Sequence, residues 1–154
     1  MSTIDVGKKA PQFTLEGTGG SWSLSDAAGG AVVIYFYPRD NTPGCTQEGA
    51  DFAAAHAQFK RAKAQIVGIS ADSLAAHEKF KQKMAFPFEL LSDPDKKVCK
   101  QYDVIQEKSM YGKKFLGIER STFLIDGKGL LRHVWRKVKV NGHAAAVLAA
   151  VKAL

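Results

Sequence analysis

Two cysteines occur among the 154 residues, Cys45 and Cys99, and the first stands in a run suited to thiol chemistry. In PRDNTPGCTQEGADF, residues 38–52, Cys45 follows shortly after the apolar segment AVVIYFY and heads a helix-like run, with Pro43 and Gly44 just before it. A cysteine that merely packs is usually a small hydrophobe on an apolar face. Cys45 instead has Asp40, Asn41, Thr42, Thr46 and Gln47 for neighbours. At a helix N-terminus the unpaired backbone N–H groups and the helix dipole favour negative charge, and hence the reactive thiolate. The neighbours narrow what such a thiolate can do. CTQE has Glu48 where a C-x-x-C dithiol would carry its second cysteine, which excludes exchange within that motif. A cysteine hydrolase would need a histidine base. His133 and His143 stay open for that role, whereas His56 and His77 lie in helical segments and read as surface or core-edge residues.

Positioning such a thiol takes a strand, a turn and a helix. AVVIYFY, 31–37, is a continuous apolar run rich in β-branched and aromatic residues and fits a central strand buried on both faces. From about Cys45 to Lys63 the period becomes helical, with Phe52, Ala55, Phe59 and Ala62 on one face. QIVGIS, 65–70, reads as a second buried strand. Asp72 is placed to cap a following helix with Leu74, Phe80, Met84 and His77 turned inward. FELLS, 88–92, reads as a third strand, and DPDKKVCKQYDV as a short helix with Pro94 in its first turn. Ahead of all this, FTLE and SWSL, joined by GTGG, resemble a short hairpin. EKSMYGKKFLG reads as a loop, and RSTFLID and GLLRHVWRKV, flanking DGKG, as an antiparallel hairpin. Ala144, Val147, Leu148, Val151 and Leu154 outline a last amphipathic helix. Trp22 and Trp135 fall in strands and read as packing residues. The order implies an α/β sandwich, a mixed central sheet flanked by helices.

Composition bounds the rest. The length suits a single domain, 1–154, with a substantial core. No stretch reaches the roughly 20 apolar residues of a membrane span. The start, MSTIDVGKKAPQF, lacks the basic-then-apolar layout of a secretory signal, so a cytoplasmic address is expected. The two cysteines form neither a disulfide framework nor a zinc-ligand cluster. The net charge is +7 and the isoelectric point about 9.4. The lysines and arginines are scattered, however, without a nucleic-acid-binding signature, and read as solvated faces.

Pro38, Thr42 and Cys45 spell P-x-x-x-T-x-x-C after an apolar strand, and Arg120 opens the strand RSTFLID. This combination resembles the active-site signature of the peroxiredoxins. FYPRDNTPGCTQE, GISADS and LLSDPDKKV are similar to the bacterioferritin comigratory protein, or Q-type, branch, and the likeness covers almost the whole chain. Singly, Thr42 would be an ordinary helix cap, Pro38 a strand terminator and Arg120 a surface cation; together with Cys45 they form a motif. The resemblance implies a thioredoxin-like fold and reduction of hydrogen peroxide or organic hydroperoxides by sulfur alone, with no metal, flavin or haem. It assigns peroxide attack to Cys45, hydrogen bonding with thiolate and peroxide to Thr42, and their alignment to Arg120. Donors come from the backbone near Gly44 and Cys45, shielding from Pro38, and orientation of Arg120 from Glu48.

Many Q-type members carry a resolving cysteine five residues after the peroxidatic one, where this chain has Ala50, or in the next helix, where it reads HEKFKQKM. Cys99 is the only other cysteine, and it must come within about 7 Å, Cα to Cα, to form a disulfide. Read as a helix cysteine, it leaves a one-cysteine cycle resolved by an external thiol, either thioredoxin or glutathione with glutaredoxin. A monomer or weak dimer is expected, with no nucleic-acid or membrane partner. A second reading keeps the thiol but not the turnover: a redox sensor or holdase whose Cys45 oxidation is read by a partner.

Overall fold

The computed structural model describes residues 4–154. The first three residues of the start, on which the expectation of no secretory signal partly rests, lie outside them. Two short strands, β1 (Thr14–Gly17) and β2 (Gly20–Ser23), form the opening hairpin, followed by β3 (Ala31–Phe36), α1 (Pro43–Arg61), β4 (Ala64–Ser70), α2 (Leu74–Met84), β5 (Glu89–Ser92) and the short α3 (Lys97–Gln101). Then come β6 (Ile105–Met110), β7 (Lys113–Ile118), β8 (Ser121–Ile125), β9 (Leu131–Trp135) and α4 (His143–Lys152). Seven strands make one mixed sheet in the order β2-β1-β5-β4-β3-β8-β9. β3, β4 and β5 are parallel, and β8 returns antiparallel to β3.

β3 is central and buried throughout, as its unbroken apolar run requires. Its alternate residues serve different layers. Val33 and Tyr35 join Phe52 and Phe59 of α1 and Val147 and Val151 of α4 in one cluster. Val32, Ile34 and Phe36 join Val98, Cys99, Tyr102 and Val104 in another. The sheet therefore separates Cys45, which belongs to the first cluster, from Cys99, which belongs to the second. Trp22 and Trp135 pack against the two clusters, one each, as packing residues should.

Several local readings change. The segment 107–117 is not a loop: β6 and β7 form a separate two-stranded hairpin around Tyr111 and Gly112, both in the left-handed region. Its residues are mostly exposed on both faces, so no apolar alternation betrays it. The cap of α2 is Ser73, whose hydroxyl accepts from the Ala76 N–H, and not Asp72. Asp72 accepts instead from Ser70 Oγ and the Asp40 N–H. α3 begins only at Lys97, which leaves Pro94 ahead of the helix. Leu154 falls beyond α4 and is 48% exposed. His77 is fully buried, turned inward as the face of α2 suggests and not left at the surface or the edge of the core.

Gly49 shows how closely α1 is seated. A Cβ there would lie 2.4 Å from the Phe86 ring, and Phe86 is itself buried. Alanine is better than glycine in a helix by about 1 kcal/mol, but overpacking costs about 1–3 kcal/mol. Gly49→Ala should therefore lower the urea unfolding midpoint; an unchanged or raised midpoint would show that the α1–Phe86 contact yields freely.

Candidate active site

The chain leaves the carboxyl end of β3, turns through residues 37–42 and enters α1 at Pro43. Thr42 occupies the cap position in extended conformation, and Pro43 takes the first helical position, where its missing N–H is no loss. The first intrahelical bond runs from the Thr46 N–H to the Thr42 carbonyl, at 2.8 Å. The N–H groups of Gly44 and Cys45 thus precede the helix ladder and are free to serve an anion. Cys45 sits at this junction, 2% exposed.

Arg120 reaches the same point from the far side of the sequence. In the pairing of β3 with β8, Phe36 lies opposite Ser121, so Arg120 falls one residue beyond that pair, at the end of β3 from which the active loop departs. Its Nη2 donates to Cys45 Sγ at 3.3 Å, and its Nη1 donates to Glu48 Oε1 at 2.6 Å. Cys45 and Glu48 are three residues apart on α1 and so share a face. Gly44 makes the approach feasible, since a Cβ there would stand 3.0 Å from Arg120 Nη2. Glu48 is buried, and its second oxygen, Oε2, has no hydrogen-bond partner among the described residues.

Burial works against the charge of Arg120, but Glu48 and Cys45 outweigh it and raise its affinity for the proton. For Glu48 the balance goes the other way. Burial pushes its carboxyl up to about 7, although Arg120 pulls it down. The assembly is a shielded sulfur nucleophile with a cation aimed at it and two backbone donors beside it. Such an arrangement suits attack on a small electrophile whose leaving atom gathers negative charge.

The expected residues are placed as follows. Cys45, Arg120 and Glu48 are joined directly, with Gly44 beneath the guanidinium. Thr42 is half-buried at the start of α1, and its hydroxyl donates to the Arg39 carbonyl at 2.9 Å. No hydrogen bond joins it to Cys45 Sγ among the described residues. Pro38 opens the loop and is exposed. Cys99 stands apart on the other face of the sheet, fully buried, its thiol held well above its usual range by burial and by Asp93.

Of the histidines left open as a base, neither hydrogen-bonds Cys45 among the described residues. His143 shares a hydrogen bond with Thr122 Oγ1 at 2.8 Å, and burial and Arg120 lower it to about 4. His133 stacks on Trp135. Lys108 on β6 was not foreseen. Its ammonium donates to the Ile118 carbonyl and is close enough to feel both Arg120 and Cys45; burial and Arg120 lower its proton affinity. Only the β6–β7 hairpin, hidden in a segment that reads as loop, brings it there.

The Glu48 proton offers a test of this electrostatic arrangement. The folded protein holds that proton more tightly than the unfolded chain, so stability falls as pH rises from about 4.5 through about 7. Glu48→Gln removes the titration and keeps an acceptor for Arg120. Across that interval the variant should gain on the wild type by on the order of 1–3 kcal/mol in urea unfolding, and hold the gain above it. A difference that does not change with pH would show that Glu48 ionises as freely in the fold as in the unfolded chain.

Residues 6–134 match the AhpC/TSA family. The chain is 52% identical to a putative peroxiredoxin bcp of Coxiella burnetii over 95% of its length and 97% of that protein's. It is 48% identical to peroxiredoxin Bcp of Bacillus subtilis, over 97% and 96% respectively. Among solved structures, the bacterioferritin comigratory protein of Xanthomonas campestris, studied for its alkyl peroxide reduction activity, superposes with a TM-score of 0.90 at 50% identity, covering 97% of this chain and 98% of that one. A buried, arginine-bonded cysteine on a thioredoxin-like sheet and relatives along nearly the full length lead to one conclusion: the chain belongs to the AhpC/TSA family, in its Bcp or Q-type branch of thiol-dependent peroxidases.

Proposed function

We propose that Cys45 reduces hydrogen peroxide and organic hydroperoxides in a one-cysteine cycle closed by an external thiol. The observation that carries the first step is the 3.3 Å bond from Arg120 Nη2 to Cys45 Sγ. The thiolate attacks one peroxide oxygen, an S–O bond forms as the O–O bond breaks, and sulfur becomes sulfenic acid. The leaving oxygen departs as hydroxide or alkoxide and takes up a proton from solvent. Negative charge spreads over both oxygens in the transition state, where Arg120 and the N–H groups of Gly44 and Cys45 stabilise it more than the neutral substrate. Thr42 turns its hydroxyl from the Arg39 carbonyl to the peroxide, Glu48 keeps Arg120 in line, and Pro38 walls the loop.

Resolution from outside the chain is supported by the separation of the two cysteines. Cys99 is enclosed in the opposite cluster and bound through its backbone N–H to Asp93 Oδ2 at 2.8 Å. Burial keeps it in the unreactive thiol form. Position 50, in the second turn of α1, is alanine. A thiol of glutathione, with glutaredoxin, or of thioredoxin displaces water from the sulfenic acid to give a mixed disulfide. A second thiol then releases Cys45 and leaves the reductant oxidised.

Peroxide turnover with each reductant, followed by mass spectrometry of the oxidised protein, tests the cycle. Cys45→Ser should abolish turnover. Arg120→Lys should lower kcat/KM about 10²–10³-fold, as for loss of an aimed donor. Cys99→Ser should turn over as wild type does, with no Cys45–Cys99 disulfide in the wild type. Activity retained by Cys45→Ser would sink the peroxidase assignment, and a Cys45–Cys99 disulfide with lost turnover in Cys99→Ser would sink the one-cysteine cycle. Stoichiometric peroxide loss without recycling by either reductant would favour the sensor reading instead.

A further inference from the structure

The active-site loop is tied down by a buried polar network that the chemistry above does not use. Asp40, in the middle of the loop, holds His77 of α2, with Oδ2 and Nδ1 2.6 Å apart. The two side chains are 6% and 0% exposed. The other ring nitrogen, Nε2, lies 2.9 Å from the Leu91 carbonyl. A carbonyl can only accept, so Nε2 carries a proton. A second proton must then lie between Nδ1 and the carboxylate, or two acceptors would face each other in the interior.

Asp40 Oδ1 accepts from Tyr37 Oη at 2.6 Å, and the Asp40 N–H donates to Asp72 Oδ2 at 2.8 Å. Asn41, held at φ 62°, accepts from Lys83 Nζ at 2.8 Å. Asp40, Asp72 and His77 place ligand-type atoms within 4.8 Å of one another. Both imidazole nitrogens and both oxygens of Asp40 are nevertheless engaged by protein groups, so the cluster reads as a tether. It joins residues 37–41 to α2 and to β5, one short step ahead of Thr42 and Cys45.

We propose that Asp40 and His77 are positioning residues that hold the 37–42 loop and the first turn of α1 in the closed, peroxide-reactive arrangement, and thereby set how readily the Cys45 sulfenic acid is exposed to the resolving thiol. The inference rests on the peroxidase cycle proposed above. Cys45 is 2% exposed, too enclosed to meet a glutathione or protein thiol directly. The loop is the local segment whose release uncovers it, because β3 behind and β8 beside it are core strands. Loosening the tether should therefore slow the first step and hasten the second.

The test measures the two half-reactions apart, with the full chain. Peroxide loss by reduced protein in a single turnover gives the first rate. Capture of preformed Cys45 sulfenic acid by glutathione, read by mass spectrometry, gives the second. His77→Leu and Asp40→Ala should each lower the first about tenfold or more, the scale of a small misplacement of reacting groups, and raise the second.

Asp40→Asn should restore near wild-type values, because its Oδ1 can accept from Tyr37 and its Nδ2 can donate to a neutral imidazole that keeps the Nε2 proton. Lys83→Ala, an exposed change that keeps the core, should shift the two rates in the same opposed directions, more weakly. If the buried variants do not fold, Lys83→Ala and Asp40→Asn decide the matter alone. Two rates that fall together, or an Asp40→Asn that behaves as Asp40→Ala, would overturn the proposal. If wild type shows no peroxide step at all, it is the peroxidase cycle that fails.

Discussion

Arg120 is the side chain on which the site depends. A guanidinium largely withdrawn from water is costly unless its donors are met, and two groups on one face of α1 meet them, Cys45 Sγ and Glu48 Oε1. The contact is not local in any sense. Cys45 and Arg120 are 75 residues apart, and what unites them is the antiparallel register of β8 on β3. The same ladder that builds the core aims the guanidinium, so precision at the sulfur is inherited from the sheet. Gly44 completes the arrangement by leaving out the one atom that would crowd the guanidinium.

The sheet also separates the two sulfurs. β3 sends alternate side chains to opposite layers, and the two cysteines belong to different layers. Bringing Cys99 within disulfide distance of Cys45 would require α3 to leave its cluster and pass an edge of a seven-stranded sheet. Central, fully buried strands open only at free energies near that of global unfolding. In the cycle proposed above, an external thiol takes the place of the cysteine that position 50 lacks.

Much of this is legible in the sequence wherever burial is two-sided or periodicity strong. AVVIYFY, QIVGIS and the Phe52–Phe59 face announce β3, β4 and α1 through simple pattern. The motif residues Cys45 and Arg120 are paired by their resemblance to the peroxiredoxin signature; taken by itself, Arg120 reads as a surface cation. The β6–β7 hairpin does not emerge, because its strands are exposed on both faces and their order comes from backbone pairing, which leaves no apolar alternation to read. With it goes Lys108, whose nearness to Arg120 depends on that hairpin. The partners of His77 stay hidden for a related reason. Histidine in an amphipathic helix ordinarily marks an edge, and only tertiary placement supplies the carboxylate and carbonyl that make a buried site habitable. Glycine roles are likewise invisible locally: Gly44 and Gly49 look like helix weaknesses and are clearances for Arg120 and Phe86.

In the cycle proposed above, one sulfur must meet two reactants of different size, and the structure constrains how both demands are satisfied. The first needs an enclosed, dry, fully aligned pocket, because alignment and low dielectric are what make the donors effective. The second needs the same atom uncovered. Since β3, β8 and the seat of α1 on Phe86 are core, alignment cannot be relaxed by moving Arg120 without disturbing the sheet. The remaining variable is the stretch 38–44 between the buried Tyr37 and Cys45, which is fixed by the polar contacts of Asp40, Asn41 and Thr42 more than by apolar burial. Hydrogen bonds are directional and individually modest in net contribution, so a segment held by them can be firm in one geometry and still release without loss of the core. That difference in the kind of force holding each wall lets a rigid sheet support a site that opens on one side.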